Sequence, residues 1–172
     1  MNLFKLNGIV SVDQNWGIGY NGKLLHRNSH DMRQFRDKTR NNIILMGRKT
    51  FESLPYGKAL PDRINVVMTR NEYFSRPDVI VDNDINHIMN IDPSKEVYLI
   101  GGGEMFFNYY NQCHKIYVTK WQTKYPNVDT YMPNLDEDDN WVLALEQKVR
   151  SENDVDYSIC EYINKEFMKF DV

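Results

Sequence analysis

The chain has 172 residues, 41% of them hydrophobic and 26% charged, with a formal net charge of -3. That length suits one domain, residues 1–172, with a sizeable core, and the composition excludes a disordered chain or one built to span a membrane. No apolar run approaches membrane-helix length and residues 1–10 carry no leader-like apolar region, so a cytoplasmic location is expected, and the acidic balance gives no global attraction to nucleic acid or anionic lipid.

Residues 3–12, LFKLNGIVSV, read as an opening strand buried on both faces. Residues 13–29, DQNWGIGYNGKLLHRNS, are too glycine-rich for regular structure and too long for a simple turn. Two readings stand for them. Trp16 and Ile18 suit a mobile lid that excludes water from a ligand, or Trp16 pins a surface loop. Asn28 or Ser29 then caps a helix running to about residue 39, with Asp31 in its first turn and Met32 and Phe35 facing inward. Asp31 and Phe35 are four apart, so a carboxylate lies beside an apolar ring; position alone favours the reading that Asp31 offsets the helix dipole, and the other reading is that desolvation by the ring raises its pKa.

Residues 42–46, NIILM, form a second buried strand, closed by Gly47 and followed by a short helix in RKTFESL that Pro55 ends. Arg48, Lys49 and Thr50 open that helix, where two cations oppose the dipole and make sense if an anion lies there. After the loop YGKALPDR, residues 64–69 make a third strand, with Arg70 just beyond its end. A short strand at 79–81 and a short helix in DINHIMNI follow, His87 being a surface or packing residue.

The run VYLIGGGEMFF at 97–107 is the centre of the chain, because a buried strand turns into a helix across Gly101, Gly102 and Gly103. Backbone without Cβ atoms lets a pyrophosphate approach the N–H groups of the helix start, although such turns also serve plain tight packing. HKIYVTKWQ is a further strand bearing Thr119, DTYMP an ordered connection, and LDEDDN at 135–140 a solvated turn without calcium-loop spacing. WVLALEQKV and DYSICEYI are the arms of a closing hairpin. Cys113 and Cys160 lack metal-ligand spacing and are expected as free buried thiols. The fold class is α/β: a central, mostly parallel twisted sheet with flanking helices and a C-terminal antiparallel hairpin. Ligands in such sheets bind beyond the carboxyl ends of the strands, where Gly47, Arg48, Lys49, Arg70 and the three glycines fall.

Taken together, GIVSVDQNWGIGYNG, IILMGRKTFESLP, LPDRINVVMTR, VYLIGGGEMF, KIYVT, DTYMP and the hairpin make the chain similar to dihydrofolate reductases over nearly its whole length. The resemblance implies NADPH as cofactor and reduction of 7,8-dihydrofolate to 5,6,7,8-tetrahydrofolate, with hydride reaching C6 and a proton N5. It implies that Asp31 pairs with the pterin's 2-amino group and ring nitrogen, that Thr119 shares that polar network, and that Ile9, Val10, Phe35 and Leu54 are pocket walls. Arg63 matches the arginine that forks onto the α-carboxylate of the folate glutamate. Arg48, Lys49, Thr50, Thr69 and Arg70 match the adenosine phosphate cradle, Arg48 and Arg70 being nearest the 2′-phosphate. Ser11, Ile18, Gly19 and Gly47 are further cofactor positions, and so is the run Ile100, Gly101, Gly102, Gly103, Glu104, Met105 and Phe106, where the family has a cis Gly-Gly bond. No metal is implied; the partner is a small-molecule substrate, without nucleic acid or membrane, and the protein is expected to be a monomer.

Three departures bear on rate and pH optimum rather than on fold. Leu25 and His26 stand where the family usually has Pro-Trp, and His26, counted here with the catalytic positions, either holds the water near the pterin or titrates. Phe106 replaces a common Tyr, and Glu104 puts a negative charge at the helix start after the glycines. The rival readings are a related NADPH reductase of the riboflavin pathway and a catalytically impaired binding module. Asp31 with Arg63 favours folate over the first, and no basic-aromatic stripe supports RNA binding by the second.

Overall fold

Strand β1 (Leu6–Val12) opens the part of the chain that the computed structural model describes, residues 6–168; residues 3–5 of the expected first strand lie outside it. The glycine-rich stretch that follows departs from expectation. It forms two short strands, β2 (Gly17–Tyr20) and β3 (Lys23–Leu24), because Asn21 and Gly22 both adopt positive φ and turn the chain back on itself. Helix α1 (Ser29–Thr39) starts where its cap predicts, the Asn28 side chain accepting from the N–H groups of His30 and Asp31.

Next come β4 (Ile43–Gly47), α2 (Arg48–Glu52), β5 (Ile64–Met68), β6 (Val79–Asp82), α3 (Ile85–Met89), β7 (Val97–Gly101) and α4 (Gly103–Tyr109). Gly47 and Gly102 cap α2 and α4 without any side-chain bond, which leaves the first N–H groups of both helices uncapped by side chains. The chain closes with β8 (Lys115–Trp121), β9 (Thr130–Tyr131), β10 (Trp141–Val149), β11 (Tyr157–Asn164) and the short α5 (Lys165–Met168).

Eight strands make the main sheet in the order β10-β11-β8-β1-β7-β4-β5-β6. From β8 to β6 all neighbours are parallel, and only the β10–β11 hairpin and its junction with β8 are antiparallel. Side chains alternate between faces, so each inner strand feeds two cores and must be apolar throughout, which is why IILM and VYLI read as continuous runs. Ile44, Met46, Val67 and Tyr98 form one core with Phe51 of α2; Ile43, Leu45, Val66, Leu99 and Val118 form the other with Ile88 of α3 and Met105 and Phe106 of α4. Helix α1 lies over the first face, its Lys38 ammonium 4.2 Å from the centre of the Tyr117 ring.

The small sheet β3-β2-β9 settles the two readings of the glycine-rich stretch. Trp16 is only 5% exposed, belongs to the second core and meets Tyr162 edge-on at 6.0 Å, so this stretch is pinned rather than lid-like at Trp16. Asp13 reinforces it: the buried carboxylate accepts from the N–H groups of Asn15, Gly17 and Tyr125. The acidic run at 135–140 also departs from a purely solvated turn. Leu135 is buried, Asp136 accepts from the Tyr162 hydroxyl at 2.6 Å and pairs with Lys120, and Asp138 accepts from the Tyr110 hydroxyl at 2.7 Å. Cys113 and Cys160 are free and buried, and His87 is exposed beside Asp82 and Asp84.

Gly103 has a packing role that its neighbours do not share. A Cβ there would lie 2.7 Å from the backbone oxygen of Tyr131 and 2.9 Å from Cγ2 of Thr130, so a side chain would push α4 away from β9. Gly103→Ala is expected to cost about 1–3 kcal/mol of stability through this overpacking. Urea unfolding at unchanged slope reads it; a midpoint equal to the parent's would show that the two elements separate freely.

Candidate active site

The buried stripe of α1 opens toward its N-terminus. Thr39 is fully buried, Phe35 half-buried and Met32 48% exposed, although all three share one side of the helix. Met32 therefore lies outside the packed core expected for it, and the inward side of the helix is open to solvent at its first turns, leaving a cleft there. Asp31 lies at this opening, where Thr119 Oγ1 donates to its Oδ1 at 2.5 Å. Thr119 reaches it because β8 pairs with β1 in a register that sets Thr119 beside Ser11 and Tyr117 beside Ile9.

Burial pushes the Asp31 carboxyl above the ordinary aspartate range, opposed by the Thr119 hydrogen bond and by the fields of His30 and His26. The direction is the one read from the Asp31 and Phe35 spacing. Thr119 occupies one lone pair of Oδ1, which leaves Oδ2 and the remaining lone pairs for incoming donors.

Further along the cleft, Arg63 stands just before β5. Its Nε donates to the Pro61 carbonyl at 2.9 Å and Nη1 to Thr39 Oγ1 at 3.2 Å, and the guanidinium carbon lies 5.9 Å from the centre of the Phe35 ring. No carboxylate among the described residues is in contact with this half-buried cation, so it remains open to an anion. Leu54 and Ile9 pack on the same face of the sheet as Phe51, whereas Val10 packs on the opposite face. Of that adjacent pair, Ile9 offers its side chain to the α1 side and Val10 its backbone.

Most of the expected cofactor positions gather at the carboxyl ends of β4, β5 and β7, whereas Ser11 lies in β1 and Ile18 and Gly19 in β2. Arg48, Lys49 and Thr50 form the first turn of α2; Thr69 and Arg70 follow β5, and the Thr69 oxygen accepts from the Asn71 N–H at 3.1 Å. Arg48 is paired with Glu52 at 2.5 Å, while Arg70 is exposed and has no partner among the described residues. Across from them the Gly101-Gly102 bond is cis. Cβ atoms on Gly101 and Gly102 would stand 3.3 and 3.2 Å from the Thr50 hydroxyl, so bare backbone lies close against that hydroxyl where a side chain would crowd it. That cradle, with its cations, fits a phosphate-bearing cofactor. Ile18, Gly19, Met105 and Phe106 are buried, and the side chains of Ile18, Met105 and Phe106 belong to the core. Ser11 and Ile100 are half-buried, Glu104 exposed in the first turn of α4.

His26 does not simply point at the cleft. Its ring lies 4.6 Å from that of Trp121 and 6.0 Å from that of Tyr125, and Nε2 is 2.6 Å from Oδ1 of Asp154. Nε2 makes no well-directed hydrogen bond, so this contact is a close electrostatic approach of the ring to the carboxylate. The sequence reading missed His30, Asp154 and Asp13. Only Asp13 carries a local signal, an aspartate followed by backbone donors two and four residues on; the other two are defined by contacts across the whole chain.

Comparisons with known proteins bear on the family and the fold. The dihydrofolate reductase family model matches residues 5–164. Dihydrofolate reductase of Haemophilus influenzae is 36% identical over 137 residues, covering 77% of this chain and 79% of its own. That of Staphylococcus haemolyticus is 29% identical over 158 residues, covering 91% and 93%. Among solved structures, dihydrofolate reductase from Enterococcus faecalis, complexed with NADP(H) and RAB-propyl, matches with a TM-score of 0.82 at 27% identity, over 94% of this chain and 98% of that one. The family match ends at residue 164, the last of β11, so it takes in every strand of the main sheet, and the chain belongs to the dihydrofolate reductase family.

Proposed function

We propose that this chain reduces 7,8-dihydrofolate to 5,6,7,8-tetrahydrofolate with Asp31 as the group that holds the pterin and handles its proton. The observation that carries the reading is the Asp31 and Thr119 pair, a half-buried carboxylate with a raised pKa at the mouth of the α1 cleft. Its free lone pairs accept from two parallel donors, which suits a 2-amino group beside a ring nitrogen. A carboxyl that retains its proton above the ordinary range is also better matched to proton transfer near neutral pH. NADPH, when bound, supplies the hydride. Gly101, Gly102 and Thr50 line its backbone cradle, with Arg48, Lys49 and Arg70 offering the positive charge. Phe35, Leu54 and Ile9 exclude water from the α1 side, and His26 tunes Asp31 through its field rather than by touching it.

Oxidation of NADPH followed by absorbance, in the presence of dihydrofolate and with tetrahydrofolate identified as product, tests the reading. Absence of dihydrofolate-dependent oxidation would sink it. Arg63 supplies a separate check on substrate identity. Arg63→Ala is expected to weaken dihydrofolate binding by about 2 kcal/mol, the loss of one charge-assisted pair, and to leave NADPH affinity unchanged. Equal losses for both ligands in fluorescence titrations would make Arg63 a structural residue only.

A further inference from the structure

The turn between β10 and β11 reaches back to the start of α1, and one carboxylate makes the connection. We propose that Asp154, in that turn, is a positioning residue for the reaction: its two oxygens hold His26 and the helix cap Asn28, and so fix Asp31 in the cleft. The proposal rests on the reading of Asp31 as the carboxylate that faces the substrate.

The chain of contacts is short. Asn28 Nδ2 donates to Asp154 Oδ2 at 2.7 Å, and Asn28 Oδ1 in turn accepts from the N–H groups of His30 at 2.9 Å and Asp31 at 3.1 Å. Asp154 is thus joined to the Asp31 backbone through one side-chain amide. Oδ1 of the same carboxylate lies 2.6 Å from His26 Nε2. A second strap lies alongside, the Tyr157 hydroxyl standing 2.5 Å from His30 Nδ1. Trp121 and Tyr125 wall the His26 ring, so the imidazole is set by two aromatic contacts and one charge.

The charged and titratable groups around Asp154 come from several elements: His26 and Arg27 before α1, His30, Asp31 and Arg33 on it, Arg150 and Tyr157 on the hairpin, and Tyr125 after β8. The Val155 N–H and then the Asn28 amide hold the Asp154 carboxyl below the ordinary range, so it is ionised throughout the neutral range. An exposed pair of this kind adds little to global stability. Its effect is on placement, and a misplacement of an ångström at a reacting group costs up to about a hundredfold in rate.

Asp154→Ala breaks both contacts, and Asp154→Asn keeps an acceptor for Asn28 while removing the charge opposite His26. The expected results are a roughly tenfold lower kcat/KM for dihydrofolate in the Ala variant and a roughly threefold loss with a displaced pH profile in the Asn variant. NADPH affinity by fluorescence titration stays within about twofold in both. In an Asp31→Asn background the Asp154→Ala loss disappears, because the residue acts through Asp31; a merely structural role would give the same fold-loss in either background. Parental kcat/KM and pH profile in both Asp154 variants, or losses that multiply with that of Asp31→Asn, would overturn the proposal. Should the Ala variant fail to fold, the Asn variant and its double mutant decide. Near-parental turnover of Asp31→Asn alone would instead remove the underlying reading of Asp31.

Discussion

Replacing Asp31 with Asn is expected to lower kcat at neutral pH by about two orders of magnitude or more while making the ligand-free protein more stable. The two effects have one cause. Burial raises the Asp31 pKa in the folded state, so its protonated form favours folding. That contribution is complete below the ordinary aspartate value and is lost as pH rises through the folded value; at pH 7 the ionised side chain opposes folding. An amide of the same shape can still accept the Thr119 hydroxyl bond but carries no charge to desolvate, and the thermal midpoint at pH 7 should rise by a few degrees. At pH 3 the gain should vanish. Steady-state turnover and thermal melts at the two pH values check both halves. An Asn variant that turns over like the parent would sink the assignment of Asp31, and one less stable at pH 7 would show that burial is not what governs this carboxyl.

Cofactor choice should respond as strongly. Arg48 opens α2 and Arg70 follows β5, so a 2′-phosphate held between them would gain two charge-assisted contacts that NADH lacks. Arg48 must leave Glu52 to do this, but an exposed pair four residues apart on a helix is worth less than about 1 kcal/mol, and Arg70 has no competitor among the described residues. Replacing both arginines with Ala should therefore cost roughly 3 kcal/mol in NADPH binding and leave NADH binding within a factor of about three. Raised salt should reproduce part of the loss, since both side chains are near the surface. If the double variant still discriminates between the cofactors as the parent does, the 2′-phosphate is held elsewhere.

What the sequence revealed, it revealed through local rules. Asn28 could be named as a cap because an N-cap is a contact within one turn, and the apolar runs IILM and VYLI could be named as buried parallel strands because both their faces need the same residues. Gly101 and Gly102 lie close against the Thr50 hydroxyl, whereas Gly103 is a packing glycine against β9, a partner too far along the chain for any local pattern to show. Trp16 leaves two readings open in the sequence for the same reason: glycine content marks a turn, but only the arrival of Tyr162 makes the indole a core residue. The acidic run at 135–140 reads as solvent-facing because charges usually are, and the hydroxyls of Tyr110 and Tyr162 that use it are contributed by other elements. Motif order points to where the candidate site lies; the contact between Asn28 and Asp154, 126 residues apart, follows from no local pattern.

The order of the strands also has a bearing on how the protein comes into being. Strand β1, the earliest of the described strands in the chain, sits in the middle of the sheet between β7 and β8; Leu6 pairs with Val97 and Asn7 with Lys115. A ribosome therefore delivers the central rib of the sheet long before either neighbour exists, while β4, β5 and β6 pair with one another in the order they emerge. For most of its synthesis the nascent chain carries an apolar strand with both edges open, the kind of segment that chaperones hold and that aggregates draw in. Closing the gap in a finished chain requires long-range pairing, which places this fold among the slower ones for its size.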